Sequence, residues 1–271
     1  MSDALPVAVA IDESPRLVQR AERCEEPREL VVTPVRAHRR TLQRALRAAS
    51  RPQSAFRFAR PIDVARRLAG AANERTETLD RIDRLHFVER VLADARESGA
   101  EWASDLAVVV GARPSERVER VEQVRAEVET VTGWHPRRLE SMRACGSGLD
   151  APDDRAAAAL VSAAVELHAA LRERADGDDA VSTASVIRAA TRTLAAHGDR
   201  GWRESHPSIE RVTLAGVSTL SATLADFLLT LGAETSVDVH LHLRHATGER
   251  IASRLAAHAS IEDPGAEVFE S

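Results

Sequence analysis

The chain of 271 residues contains no lysine; all 37 of its permanently cationic side chains are arginine. That absence removes several chemistries at once. A Schiff-base lysine, a lysine general base, a serine–lysine dyad and the phosphate-cradling lysine of a P-loop each use a compact ammonium that arginine's planar fork does not replace. Tyrosine is also absent, and aromatic residues make up 3% of the chain, which leaves little material for base stacking. Cysteine is limited to Cys24 and Cys145. Two thiols argue against a disulfide framework and exclude a zinc ribbon, and they read as a reducing compartment. No apolar run approaches the ~20 residues of a membrane span. The stretch Met1–Asp12 lacks the basic start and long apolar core of a signal peptide. A cytoplasmic chain without membrane contact is the expectation. Charge of one sign is lacking too: 42 acids against 37 arginines leave −5, so any charge argument is local. At ~150 residues per domain the length suits one large domain or two small ones. Alanine occurs 48 times, and alanine with all-arginine usage matches coding bias, which carries no mechanism by itself.

What is present has a rhythm. Pro6–Ile11 is a short apolar, β-branched run, and Asp12-Glu13-Ser14-Pro15 opens a helical segment at Arg16–Glu22. Glu29–Thr33 reads as a buried strand. Pro34 then stands as the first helical residue of a helix to about Ala49, with Val35, Leu42, Ala45, Leu46 and Ala49 inward. Ala55–Ala59 is a third strand, followed by Pro61 and a helix through Leu68. From about residue 75 to 200 the pattern is helical only: Thr78–Ala95, Ser115–Val131, Asp153–Arg174 and Ser182–His197 are periodic, with Gly-, Pro- and Asp-rich breaks at Ala144–Asp154 and Ala175–Ala180. The Val-lined helix at Ser115–Val131 is expected to pack inside this block rather than pair with a partner helix, the alternative reading of its apolar stripe, with Ile82 of the preceding helix and Val131 itself on inner faces. After Pro207 a strand at Ile209–Val217, a helix at Leu220–Leu231 closed by Gly232, and a strand at Ser236–Leu243 form a βαβ unit. Strands alternating with helices predict a parallel sheet. The expected organisation is an α/β domain from residues 1–74 and 205–257, a helical insertion at 75–204, and an acidic tail at 258–271.

Residues 34–67 hold ten arginines and a single acid, Asp63. Arg36, Arg40, Arg44, Arg47 and Arg51 recur every three or four residues, one helical stripe opposite Val35, Leu42, Leu46 and Ala49. A solvated face usually mixes signs, and this one does not. Arginine forks suit phosphates, so nucleic-acid contact is one reading; pairing with acids of the helical insertion and a coding-biased surface are the others. His240, His242 and His245 lie in VDVHLHLRH, where alternation puts two histidines and Asp238 on one strand face. A metal site would need further ligands that the sequence does not identify, and the simpler reading is a half-exposed edge strand with its polar side outward. No G-x-S-x-G elbow occurs, and Cys145-Gly146-Ser147-Gly148 is a lone G-x-G after a helix, which reads as a flexible linker.

The segments ELVVTPVRAHRRTLQRAL, FRFARPIDVARRLA and VTLAGVSTLSATLADFLLTLG follow one another in the order and spacing of domain one of superfamily-one helicases. The chain resembles the AddB/RecB helicase–nuclease family, AddB most, over about residues 5–245. The resemblance implies a P-loop-NTPase-like parallel-sheet domain split by a helical insertion. It places single-strand contacts at Thr33 and at Arg60-Pro61-Ile62, and with the arginine stripe the candidate nucleic-acid residues are Thr33, Arg36, Arg39, Arg40, Arg44, Arg47 and Arg60. Where that family has its phosphate loop, this chain has IDESPRL, a degenerate loop at Asp12, Glu13, Ser14 and Arg16 that would repel a triphosphate. Where the magnesium-binding acid should end the strand, Leu214-Ala215-Gly216 stand instead. The family's nuclease module, of the PD-(D/E)XK kind, uses a lysine and lies further along. The expectation is a subunit without catalytic residues or cofactor, binding single-stranded DNA or scaffolding a repair or recombination complex beside a helicase or nuclease partner. The alternatives are a protein-interaction module without DNA contact, or an inactive piece whose active parts lie on another chain.

Overall fold

The computed structural model describes residues 5–11, 14–23, 25–110, 118–146, 154–177, 180–261 and 263–266. They divide into two units, Met1–Glu74 with Val186–Gly265 and Arg75–Ser185 with Ala266–Ser271. In the first unit, strands β1 (Ala8–Ile11), β2 (Glu29–Val32), β3 (Phe56–Ala59), β4 (Arg211–Val217) and β5 (Asp238–Leu243) form one parallel sheet in the order β1-β5-β4-β2-β3. The predicted α/β class with a parallel sheet is what the chain adopts. As expected, the strands near 30 and 212 lie in one sheet, and there they are direct neighbours: β2 pairs with β4 from Glu29↔Arg211 to Val32↔Leu214.

Helices are numbered in chain order through both units. A crossover between parallel strands is almost always right-handed, so the direction of each step along the sheet fixes the face its helix covers. Steps β1 to β2 and β2 to β3 run one way and put α1 (Ser14–Gln19) and α2 (Arg36–Ala48) on one face. Steps β3 to β4 and β4 to β5 run back. They put α3 (Pro61–Ala71), α9 (Thr183–Ser205) and α10 (Ala222–Glu234) on the other. The packing agrees. Leu17 of α1 and Leu42 and Leu46 of α2 cluster with Val31, Phe56 and Ala215, while Gly248 of α11 (His245–Ala259) lies against Ile11 and Leu243. With both faces covered, the central strands are apolar throughout: Leu30, Val31, Val32, Val212 and Leu214 are all buried.

Several local expectations are corrected. Pro34 is not helical: Val35 holds extended dihedrals (φ −118°, ψ 130°) as the cap of α2, which starts at Arg36. Val35 is consequently 49% exposed, and Ala45 and Ala49 are exposed as well, so the inner face of α2 reduces to Leu42 and Leu46. Helix α1 stops at Gln19, short of Glu22. Gly232 does not close α10, which continues to Glu234. It is required by close approach instead, since a Cβ there would stand 2.1 Å from the Pro6 carbonyl oxygen. β5 is not an edge strand; it lies between β1 and β4. On its polar side Asp238 stays exposed, His240 is half-buried and His242 is buried, with His240 Nε2 2.8 Å from Asp238 Oδ1 and Arg211 paired to the same carboxylate at 2.7 Å. Helix α9 runs on to Ser205 with a non-helical residue at Gly198. At the chain end, α11 reaches Ala259 and Gly265 is buried.

The second unit is helical: α4 (Arg81–Glu97), α5 (Glu101–Val110), α6 (Val118–Thr132), α7 (Pro136–Gly146) and α8 (Asp154–Gly177). A parallel bridge joins Thr78 to Val181 at its two ends. Phe87, Val88, Val91 and Leu92 of α4 pack with Leu106, Val121, Leu167 and Leu171, and Trp134, Leu139, Val128, Val161 and Val165 form a second cluster. As expected, α6 packs inside this block through Val121 and Val128, but Ile82 is 76% and Val131 41% exposed, so neither joins it. Asp80 caps α4 by accepting from the backbone of Ile82 and Asp83, which leaves Ile82 in the solvated first turn. Cys145 and Gly146 belong to α7 rather than to a linker; Ser147 and Gly148 lie outside the described residues.

A buried charge network sits at the middle of this unit. Arg125 donates to Glu122 Oε2 at 2.7 Å and to Glu129 Oε2 at 3.1 Å. Arg84 adds a second guanidinium 2.7 Å from Glu122. Trp134 Nε1 donates to Glu129 Oε1 at 2.9 Å, and the indole stacks on His168 at 4.1 Å between ring centres. Burial disfavours the Glu129 carboxylate, but Arg125, His168 and these hydrogen bonds outweigh it and hold its pKa at about 2.

Candidate nucleic-acid interface and switch-point cavity

Arg36, Arg39, Arg40, Arg44 and Arg47 all lie on α2 and are all exposed. From Arg36 to Arg47 the row spans about 17 Å at ~1.5 Å per residue. Among the described residues none of Arg36, Arg40 and Arg44 has an ion-pair partner, so these side chains present open charge. Two others are partly engaged: Arg47 Nε donates to the Gln43 carbonyl, and the Arg39 guanidinium lies 5.4 Å from the centre of the Phe58 ring. Arg51 follows the helix and donates to the Ala21 carbonyl at 3.4 Å.

Arg60 stands apart from this row. It caps α3, and its guanidinium grips Asp63 through two bonds, Nε to Oδ2 at 2.9 Å and NH2 to Oδ1 at 2.7 Å. That pair raises the Arg60 pKa and lowers that of Asp63, chiefly through the shared hydrogen bonds. Arg60 is therefore occupied by its own helix. Thr33 is also not on the open face; it is 2% exposed, at the carboxyl end of β2.

The position of Thr33 leads to a cavity. β2 and β4 are adjacent, yet their outgoing helices α2 and α10 leave to opposite faces, which in open parallel sheets opens a crevice at the carboxyl ends. A cavity of about 330 Å³ lies there, walled by Leu17 and Val18 of α1, Leu42 of α2 and Ala215 of β4, with Thr33, His38, Thr41 and Arg244 as its polar lining. Gly216, at φ +75° and at a register shift in β4, lets the His38 ring approach: a Cβ there would meet His38 Nδ1 at 3.0 Å. Arg244, the residue after β5, contacts His38 Nε2 through its NH2. Burial, then the guanidinium of Arg244, hold His38 below its ordinary pKa. Sequence reasoning missed His38 and Arg244. The signal for Arg244 was its place directly after a strand, and for His38 there was only its place one helical turn before Leu42.

The remaining candidates separate. Asp12 and Glu13 of the degenerate loop lie outside the described residues, as does Cys24. Ser14 begins α1, and Arg16 is exposed on it. β1, which precedes that loop, is an edge strand. His240 and His242 share one face of β5, their rings 6.4 Å apart, whereas His245 begins α11. Among the described residues no group of three or more metal-ligating side chains comes together. Cys145 is exposed and unpaired with another thiol. No helix among the described residues is long and apolar enough to cross a membrane.

The crevice residues do not suit a magnesium triphosphate. β4 ends in Leu214-Ala215-Gly216 without a carboxylate, and among the described residues Arg244 is the one permanent cation lining the cavity. A parallel sheet in this order with helices on both faces defines a P-loop-like α/β domain. Over residues 2–270 the chain matches the family described as halobacterial UvrD-like protein, and it belongs to that family. The relationship is helicase-like. No curated protein matches the chain.

Proposed function

We propose that this chain is a helicase-like subunit without motor activity that holds single-stranded DNA on the arginine face of α2, in a repair or recombination assembly. The observation that carries the reading is the exposed row of Arg36, Arg40 and Arg44, unpaired among the described residues. Open guanidinium charge at regular spacing suits a phosphate backbone, and the scarcity of aromatic side chains near it suits binding without sequence preference. Membership of a UvrD-like family supports nucleic acid as the partner class. The lack of lysine and of a strand-end acid supports a non-catalytic role, and the AddB-like order of segments supports an assembly in which a helicase or nuclease subunit supplies the chemistry.

The test is fluorescence anisotropy with a labelled single-stranded oligonucleotide over a salt series. Weak binding that falls steeply with salt is expected. Replacing Arg36, Arg40 and Arg44 with glutamine should weaken it and flatten the log–log slope by about two, at ~0.7 per single-strand phosphate contact. Binding unchanged in the triple variant removes the arginine face from the reading. No binding even at low salt favours a protein-interaction module.

A further inference from the structure

The cavity at the switch point has a chemistry that the DNA reading does not use. Its walls are apolar, from Leu17, Val18, Leu42 and Ala215, and its volume of about 330 Å³ falls in the range of small-molecule sites. Its polar groups are biased toward donors. A guanidinium has no acceptor atom, so in the contact between Arg244 and His38 the imidazole Nε2 must accept. The neutral ring then carries its proton on Nδ1. That N–H is buried, and among the described residues it has no acceptor. Arg244 likewise has no carboxylate partner among the described residues. The Arg244 guanidinium thus borders an apolar cavity whose lining among the described residues contains no carboxylate, while His38 Nδ1 is closed off against Gly216. A guanidinium without a carboxylate partner beside an apolar wall offers one anionic group a charge-assisted hydrogen bond.

We propose that this cavity binds a small organic anion, one carboxylate or phosphate on a compact apolar body, with Arg244 as its charged partner and the Leu17–Leu42 wall around the body. The single guanidinium matches one anionic group and not a polyphosphate. The site is separate from the arginine row: on α2, His38, Thr41 and Ala45 lie on a different side from Arg36, Arg40 and Arg44.

Calorimetric titration of the full chain with phenyl phosphate and with benzoate tests this and tells the two head groups apart. Benzyl alcohol controls for the body and inorganic phosphate for the bare anion. At least one of the two aromatic anions should bind at millimolar concentration or below, on the order of tenfold tighter than either control. Arg244→Gln should weaken that binding by about tenfold or more, and Ala45→Leu, which fills the cavity without touching the charge, should do the same. If Arg244→Gln fails to fold, Ala45→Leu and Thr41→Leu carry the test. The triple variant of Arg36, Arg40 and Arg44 should bind the anion as the parent does, so loss of DNA binding and loss of anion binding report on different sites. No heat from either aromatic anion, binding equal to that of inorganic phosphate, or affinity unchanged by Arg244→Gln and Ala45→Leu would overturn the proposal.

Discussion

His206 is 2% exposed, stacked on Trp202 at 4.4 Å, and burial with the charges of Arg67 and Arg57 holds its pKa at about 4. The folded state therefore keeps this imidazole neutral where the unfolded chain protonates it. Its contribution to stability is complete above the unfolded value near 6.5 and is lost as pH falls through about 4. On the order of 3 kcal/mol should disappear across that window. Urea denaturation of the parent and of His206→Phe should show the loss in the parent only; parallel pH curves would sink the assignment. Glu129 behaves alike at lower pH. Its contribution is complete above 4.5 and lost as pH falls through about 2, and Glu129→Gln at neutral pH should cost roughly 3–5 kcal/mol by leaving Arg125 buried with half its partners. Neither group was legible in the sequence. Both depend on which helices bury them, and local periodicity carries no signal for a buried ion pair.

Helix α10 and helix α3 show how one residue type takes opposite roles within an element. Gly70 in α3 has nothing within 4 Å of a would-be Cβ, whereas Gly232 in α10 faces the Pro6 carbonyl at 2.1 Å. Gly70→Ala should stabilise by about 0.5–1 kcal/mol, and Gly232→Ala should destabilise by roughly 1–3 kcal/mol, as read by shifts in the urea midpoint. Equal shifts of one sign would contradict the close approach. The position of Gly232 also marks what was and was not legible. The short apolar runs placed all five strands to within two residues, most plainly at β2 and β4, where burial on both faces leaves a continuous apolar stretch. The same reasoning read Gly232 as a helix stop, since a glycine placed for the passage of a distant backbone looks identical in sequence. The alternation in VDVHLHLRH misled in the same way, with Asp238 and Arg211 satisfying polar groups that would otherwise have demanded solvent. On α2 the arginine stripe was legible from spacing alone, and exchanging Arg36, Arg40 and Arg44 for glutamine should leave stability within about 0.5 kcal/mol. A larger loss would show that these side chains are paired within the chain.

At the scale of the whole chain, the two units depend on sequence continuity in different ways. β1 pairs with β5, and β2 with β4 as well as with β3, so the sheet is built from segments at both ends of the chain. Residues 1–74 alone would hold β1 without its neighbour and β2 with one side open, and could not cover both faces of the strands that remain. The helical unit is instead nearly continuous. Its clusters around Phe87 and Trp134 and the Arg125 network draw on residues between 75 and 185, and the bridge from Thr78 to Val181 joins its ends. A fragment of residues 75–185 should therefore fold by itself, with helical circular dichroism and a cooperative urea transition. A fragment of residues 1–74 should show neither. A non-cooperative transition in the 75–185 fragment would mean that its core is completed by residues outside it, and a cooperative one in the 1–74 fragment would mean that the long-range pairing of β2 with β4 is dispensable to the sheet.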